Sequence, residues 1–534
     1  MRHIGITLII FLLSTNILPA RDTDSTLVFE TITRRSNTLL KFTNFGGLAT
    51  SFGSLTATNL WPRDSMTNYL FSGGFAFVCQ KKNSDGIYNK MAEISFNVNT
   101  ASDGHFVPGC INDGDLPDYD SPERFMAFSS LNHNPQTGAP QSTRAMNQKW
   151  PLWKTGEIQE NFPGLYVFDE NLRNPNDYLA GPSIISDEDI FCVYKDTDLS
   201  QRDLPGDLLR SRGYPLQLQI EQTAFTWDNE PYKDIIVILY KAINYSTDTL
   251  ERCWFAPMFD PDIAPGEMIF MGSGNDRVAT NHIPWQSADI KYSACFTDTS
   301  SVESGYHFGY LGISYLMRPA VDASGRLRNG KAFYGYDEQQ ESSHGRYIPL
   351  ALDISDENEL YDFVSSGEGN SEYGPADIRV AFASGPFDMA PGDTMKAAVM
   401  LAWAFPSFYE IATGDKEDLV YLEEKISGGY DLFYNNIISG KKDVSPEKDI
   451  IIGYPSPNPA WHEVGIEIRT PYNAHSEFAV YTSEGKNTGI GCEKYLHKGA
   501  NFINLNISNL ASAAYILLIK INGRTYYRII HKTG

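Results

Sequence analysis

From residue 22 to about 405 the chain reads as short apolar runs separated by clusters of Gly, Pro, Asn and Asp, a pattern of antiparallel sheets packed face to face. Leu216, Leu218 and Ile220 alternate with Gln217, Gln219 and Glu221, which predicts a half-buried strand with one apolar and one wet face. Residues 235–240 are continuously apolar and rich in β-branched side chains. The turn residues Asn244, Ser246 and Asp248 follow, then a second apolar run over 254–259, so the spacing predicts a central hairpin. A third strand is predicted over 395–405, after the turn Pro391-Gly392-Asp393, although its alanines also suit a helix.

Between 102 and 182 no period is sustained, and Pro, Gly, Asn and Asp are dense around Trp150 and Trp153. This predicts long ordered loops that either cover a sheet edge or carry a binding surface. One helix is predicted where Leu419, Leu422, Ile426, Tyr430 and Phe433 recur at spacings of three and four. Asp415 and Asp418 can serve its first turn, and Gly428-Gly429 predicts a kink or break. The lysine-rich polar run 439–449 reads as a linker. The expected organisation is therefore a leader over 1–20, a β-rich body over 21–405, a helical segment over 406–438, the linker, and a C-terminal module over 450–534.

The leader carries Arg2 and His3, an apolar run over 4–13, and Leu18-Pro19-Ala20 at its end. That is the anatomy of a secretory signal peptide, with removal expected after Ala20. No later segment approaches the length of a membrane-spanning helix. With 534 residues, two or more folded units are the default. The 30 Tyr and 30 Phe favour pleated sheet and a folded body over disorder. A net charge of -23 repels phosphate backbones and anionic headgroups, so nucleic acid is not an expected partner, while carboxylates remain available to hard cations. Cys79, Cys110, Cys192, Cys253, Cys295 and Cys492 form no C-x-x-C pair, and their pairing, if any, is open.

The C-terminal module opens with Tyr454-Pro455-Ser456-Pro457-Asn458-Pro459. Strand candidates follow at 464–468 and 478–481, the latter leading from Tyr481 to Gly485. Leu510-Ala511 precedes a strand from Tyr515 to Ile521, and Asn522-Gly523 turns into a last strand that carries Lys532. These four elements in order resemble the type A C-terminal sorting domain of type IX secretion cargo. The motif residues carried over are Tyr454, Pro455, Pro457, Asn458, Pro459, Tyr481, Gly485, Leu510 and Tyr515. Two departures are Ala514, where glycine is common, and Ser456, where a second asparagine is frequent; Ala514 would be awkward if that position required positive φ. The resemblance implies a small β-sandwich grasped by the type IX secretion machinery, and a secreted or outer-cell-surface destination. The body is similar to those of other cargos carrying such a module, with no activity attached. By charge the module stands apart, with nine Lys or Arg against six Asp or Glu from Lys448 onward, so the rest of the chain carries -26.

The body contains no H-E-x-x-H, G-x-S-x-G or G-x-x-x-x-G-K-[ST]. Gly272-Ser273-Gly274 lacks the third glycine of a dinucleotide loop and reads as a turn. Asp260-Pro261-Asp262 follows the 254–259 run, so alternation aims both carboxylates to one side, where they can share a calcium ion with Asn275 and Asp276 completing the set. The bland reading is that they are turn residues closing a strand. Asp113, Asp115, Asp118 and Asp120, and separately Asp196 and Asp198, are acidic clusters that match no calcium loop. No residue is assigned as catalytic. Exposed Trp can stack on sugars, and Trp61, Trp150, Trp153, Trp227, Trp285 and Trp403 are the candidates, with Trp403 expected in the core. The reading is a mostly β protein: a large antiparallel β-sandwich body, one helical segment and a small C-terminal β-sandwich. Its expected role is binding a glycan or surface protein, or a structural one; the alternative is a secreted polysaccharide-acting hydrolase. No cofactor is expected beyond that calcium ion.

Overall fold

The computed structural model describes residues 30–49, 59–65, 67–97, 102–109, 111, 127–132, 152–154, 180–183, 185–202, 204–265, 274–285, 288–297, 308–319, 346–348, 356–366, 372–407, 413–434, 450–453, 455–470, 473–483, 485–497, 499–521 and 524–533. The expected leader and linker, Cys110, the aspartates 113–120, Tyr454 and the Asn522-Gly523 turn lie outside these residues, as do the side chains of Trp150 and Trp153.

The body's first long strands are β1 (Ser72–Lys82), β2 (Tyr88–Ile94), β3 (Glu188–Lys195), β4 (Leu218–Thr226), β5 (Ile235–Asn244) and β6 (Leu250–Asp260). They are followed by β7 (Asp276–Trp285), β8 (Ala288–Thr297), β9 (Tyr310–Met317), β10 (Glu372–Ala376), β11 (Val380–Ala381), β12 (Ser384–Met389) and β13 (Thr394–Ala404). Among the described residues three α-helices accompany them: α1 (Gly206–Arg212), α2 (Glu357–Ser365) and α3 (Val420–Leu432). The mostly β, antiparallel expectation holds, with two short helices more than the single helical segment expected.

One sheet runs β3-β4-β5-β13-β9-β8-β7-β10, extended beyond β3 by short strands; a second centres on β11-β6-β1-β2, with β12 also against β6. Their facing sides form one core. Ile236, Ile238, Tyr240, Val399, Leu401 and Trp403 of the first sheet meet Phe75, Phe77, Phe255 and Phe259 of the second. The outer face of each sheet is covered in turn. Val237, Leu239, Met400 and Ala402 pack under Leu422, Ile426 and Tyr430 of α3, while Val78, Trp254 and Met258 pack under Leu360 and Val364 of α2. The result is a four-layer α/β/β/α body.

These layers explain why β5 has no polar side: residues 236, 238, 240 and 242 face the sandwich and 235, 237 and 239 face a helix. They also correct two expectations. β4 is not half wet, for all nine of its residues are buried. Glu221 ion-pairs with Lys241 at 2.9 Å, and Gln219 accepts from the Ile111 N–H at 3.0 Å and donates to Glu221 at 3.2 Å. A polar residue every second position was the correct period, but its polar groups are satisfied by protein rather than water. Nor do β5 and β6 form a hairpin, since β5 pairs with β4 and β13 while β6 pairs with β1, β11 and β12. The chain arches between sheets because each strand is apolar on both faces and needs a cover on each. Asn244 fixes the arch, donating to the carbonyls of Asp248 and Met389 at 2.9 and 3.0 Å. The 395–405 strand is present as β13.

α3 runs unbroken through Gly428 and Gly429, so the helix does not divide there into two pieces. Gly429 is a contact residue: a Cβ there would lie 2.1 Å from the Met400 Sδ, so glycine lets the helix settle onto the sheet. Asp415 and Asp418 do not cap it either; Leu419 is the cap residue, with no side-chain bond. Asp418 is buried instead, accepting from the Tyr310 hydroxyl and from the Thr413 N–H at 2.8 Å.

The C-terminal residues form a three-stranded sheet of Ile451–Ile452, Glu463–Thr470 and Gly499–Asn506 and a four-stranded sheet of Asn487–Leu496, Ala474–Thr482, Ala513–Ile521 and Arg524–Lys532. Among the described residues, their core, including Ile466, Phe478, Val480, Leu505, Leu517, Ile519 and Ile530, draws on none before Ile450.

Candidate functional site

β6 ends at Asp260, and the chain continues through Pro261 to Asp262 before the short strand Ala264–Pro265. Asp262 carries the turn onward, its carbonyl receiving the Asn68 amide at 3.1 Å. From the other side, β10 leaves the edge of the first sheet, where Ala376 pairs with Asp276, and residues 377–379 cross to β11, where Val380 pairs with Phe259. This crossing delivers Asp377 and Arg379 to the same place. Oxygens of Asp260, Asp262 and Asp377 all lie within 4.8 Å of one another.

Arg379 holds one edge of the group, its Nε 3.6 Å from Asp260 Oδ2 and its Nη2 3.5 Å from Asp377 Oδ2. Asp276 adjoins it, accepting from the Ile263 N–H at 3.3 Å. Burial, reinforced by Asp262 and opposed by Arg379, pushes the Asp260 carboxyl well above the usual carboxylate range. Burial and then Asp377 push Asp262 up to about 7, and burial and Asp262 raise Asp276 well above its ordinary value. The sequence pair Asp260 and Asp262 is thus brought together, with Asp276 beside it. Asp377 and Arg379 were missed by sequence reasoning; the signal was present as an Asp-x-Arg step directly before the apolar run at 380–382.

The other candidates resolve into structure. Asp196 is buried, accepting from the Leu216 and Leu218 N–H groups at 2.8 Å each, whereas Asp198 caps a short 3-10 turn through Ser200 at 3.0 Å. Trp61, Trp227 and Trp403 are buried and offer no stacking face to a sugar. Trp285 is half-buried, held by Asp431 at 3.0 Å and packed on Tyr430 and Tyr434. Cys79, Cys192, Cys253 and Cys295 are buried thiols and Cys492 a half-buried one, with no disulfide among them.

A second polar cluster joins α1, α2 and β2. Arg202 reaches Glu93 at 2.6 Å and Glu357 at 3.2 Å and lies 3.7 Å over the Tyr214 ring. Arg212 also contacts Glu357, and His105 Nδ1 is 3.1 Å from Glu93. Glu93 is fully buried beside Asp196, and burial, against the pull of Arg202, pushes it from its ordinary 4.5 up to about 7. The folded chain therefore retains a proton between about pH 4.5 and 7 that the unfolded chain releases. Stability is gained as pH falls through that interval and lost as it rises, by up to about 3 kcal/mol. Urea unfolding from pH 4.5 to 7.5 should show this slope, and Glu93→Gln, neutral throughout, should make it shallower, leaving the part due to the other raised carboxyls; an unchanged slope would place the proton elsewhere.

In the C-terminal module Asn458 straps the opening segment to the last strand, donating to the Ile529 carbonyl at 3.0 Å and accepting from the His531 N–H at 2.7 Å. Tyr515 donates to the Ala511 carbonyl at 2.9 Å, and Gly485 closes its turn at φ +80°. Leu510 is half-buried against the module's core, while Tyr481 lies half-buried on the strand Ala474–Thr482, opposite Ile516. Ala514 is ordinary strand and does not carry a positive φ.

No family model matches the chain, and no curated protein matches it. Among solved structures a polysaccharide lyase aligns at 9% identity and a TM-score of 0.20, over 95% of this chain and 46% of that chain. The chain thus spans less than half the length of that protein, and a TM-score of 0.20 does not indicate a shared fold.

Proposed function

We propose that this chain is an exported protein of the bacterial cell surface or medium, routed by residues 450–534 to a type IX secretion machinery. Its body would serve a non-enzymatic binding or structural role toward a glycan or another surface protein. The observation that carries the route is the self-contained C-terminal β-sandwich, whose core is built from its own residues and whose proline-asparagine opening is tied to its last strand. A unit with a private core can be presented to a receptor, and removed, without disturbing the remainder. The signal-peptide anatomy of residues 1–20 supplies the first step of the route.

For the body, the carboxylates gathered at Asp260, Asp262 and Asp377 include two that are buried. Acid and base catalysis on a polysaccharide needs two carboxyls that reach the glycosidic oxygen and ring from an open cleft. In the body Trp61, Trp227 and Trp403 are buried and Trp285 is half-buried, which supports a scaffold over a sugar platform. The route is tested by sufficiency: a reporter carrying residues 1–20 at its start and 450–534 at its end is expressed in a bacterium with the type IX machinery. Reporter in the medium or on the outer surface is the expected result; reporter confined to the periplasm overturns the reading.

A further inference from the structure

Buried polar atoms in a folded protein nearly always have partners, so a concentration of partnerless ones marks a place where something else is bound. Around the Asp260 group such atoms accumulate. Asp260 Oδ1, Asp262 Oδ1 and Asp276 Oδ2 are buried with no hydrogen bond, on residues only 3%, 6% and 1% exposed. Ser72 Oγ is likewise without a partner, and Ser72 lies directly opposite Asp260 across the β1–β6 ladder. Thr297 Oγ1 is the same, on the residue directly opposite Asp276 across the β7–β8 ladder. Opposed residues of an antiparallel pair put their side chains on the same face. Two neutral hydroxyls therefore share the orientation of the two aspartates they oppose.

We infer that Asp260, Asp262 and Asp377, with Asp276 and the Ser72 and Thr297 hydroxyls adjoining, form a site for one hard divalent cation of the calcium class. Three features of the geometry carry it. First, oxygens no more than 4.8 Å apart fit around an ion with bonds of about 2.4 Å, since two ligands on opposite sides are then about 4.8 Å apart. Second, Arg379 approaches the Oδ2 atoms of Asp260 and Asp377 and leaves Asp260 Oδ1 unpartnered, so the guanidinium and the ion do not compete for that oxygen. Third, four carboxylates face one guanidinium, so they can all ionise together only when a cation balances them, and a divalent ion supplies that balance. The donor set is entirely oxygen, which suits calcium rather than zinc or copper. Magnesium dehydrates reluctantly and retains waters, so a buried set of protein oxygens suits it less.

The site also has a mechanical meaning. Asp260 belongs to the smaller sheet and Asp276 to the larger, and the crossing 377–379 runs between them. An ion there would clasp the two layers of the sandwich at one corner, and would do so in calcium-containing surroundings outside the cell.

The test uses the purified mature chain, stripped with chelator and returned to calcium chloride. Equilibrium dialysis should find about one calcium per chain, and 1 mM calcium should raise the melting temperature by ~3 °C or more over the chelated protein, as mass action requires for a site bound well below that concentration. Asp262→Asn and Asp377→Asn should each abolish most of that rise, while Asp362→Asn on the exposed face of α2 should keep it. Ser72→Ala, a smaller change within the fold, should weaken calcium binding several-fold and provides the readout should an aspartate variant fail to fold. Magnesium at the same concentration should give a smaller shift. No bound calcium and identical melting with and without chelator would overturn the inference, as would a calcium response unaltered in Asp262→Asn, Asp377→Asn and Ser72→Ala.

Discussion

Deleting residues 450–534 should leave the body folded and cut the amount reaching the medium or outer surface at least tenfold, by order of magnitude, in a bacterium with the type IX machinery. The first half follows from packing. The three cores of the body end at Phe433, with Tyr434 at the edge, and none includes a residue of the C-terminal module. Removing the module therefore opens no cavity in the body, and the truncated protein should melt within a few degrees of the full chain. The second half follows from the proposed address, which resides wholly in the deleted sandwich. Immunoblots of periplasm, outer membrane and medium measure it. Undiminished delivery would end the export proposal, whereas an unfolded body would show that the module is part of the main core. A milder version is Asn458→Ala, which removes both bonds between the opening strap and the last strand and should lower delivery without unfolding the body.

Asp234→Ala should destabilise the body by about 3–5 kcal/mol, because it takes the central member from a buried ionic group. Asp234 Oδ1 accepts from Trp61 Nε1 at 2.9 Å and from Asn37 Nδ2 at 2.7 Å, and Oδ2 accepts from Lys425 Nζ at 2.7 Å. Lys425 comes from α3 and also reaches Glu230 at 2.8 Å and the Pro231 carbonyl at 2.9 Å. Burial alone would raise the Asp234 carboxyl, but Lys425 and the two neutral donors more than offset it, so it lies below its ordinary value. Lys425 is raised for the matching reason. A depressed acid stabilises the fold above its unfolded value of 3.8 and loses that contribution as pH falls through its folded one, so this group should weaken in strong acid. After Asp234→Ala the indole and amide donors lose their acceptor and the ammonium keeps only Glu230 and the Pro231 carbonyl. Urea unfolding reads the loss. The double variant Asp234→Ala with Lys425→Met should recover part of it, since the uncompensated charge is gone; a strictly additive double variant, or a single variant costing under about 1 kcal/mol, would show that the group does not anchor α3.

Much of the strand content was legible because apolar runs and turn clusters report local geometry directly. β5, β13, the helix at 420–432 and the strands of the C-terminal module all lie where the pattern placed them. The misreadings share one cause. Gln219 and Glu221 were assigned to water because they are polar, and β5 and β6 were joined as a hairpin because a turn lies between them. Gly429 was read as a helix breaker, although it serves a close approach to Met400. Each depends on what packs against the residue from elsewhere in the chain.

The candidate site divides in the same way. Asp260 and Asp262 were visible because strand alternation over two residues is a local rule. Asp377, Arg379 and the orphaned hydroxyls of Ser72 and Thr297 were not, since they arrive on three other segments. Short-range periodicity thus specified which stretches of this chain extend or coil. Which faces are covered, which strands share a sheet and which carboxylates meet under the surface were settled by long-range packing, because burial and electrostatic environment belong to neighbours that no local window contains.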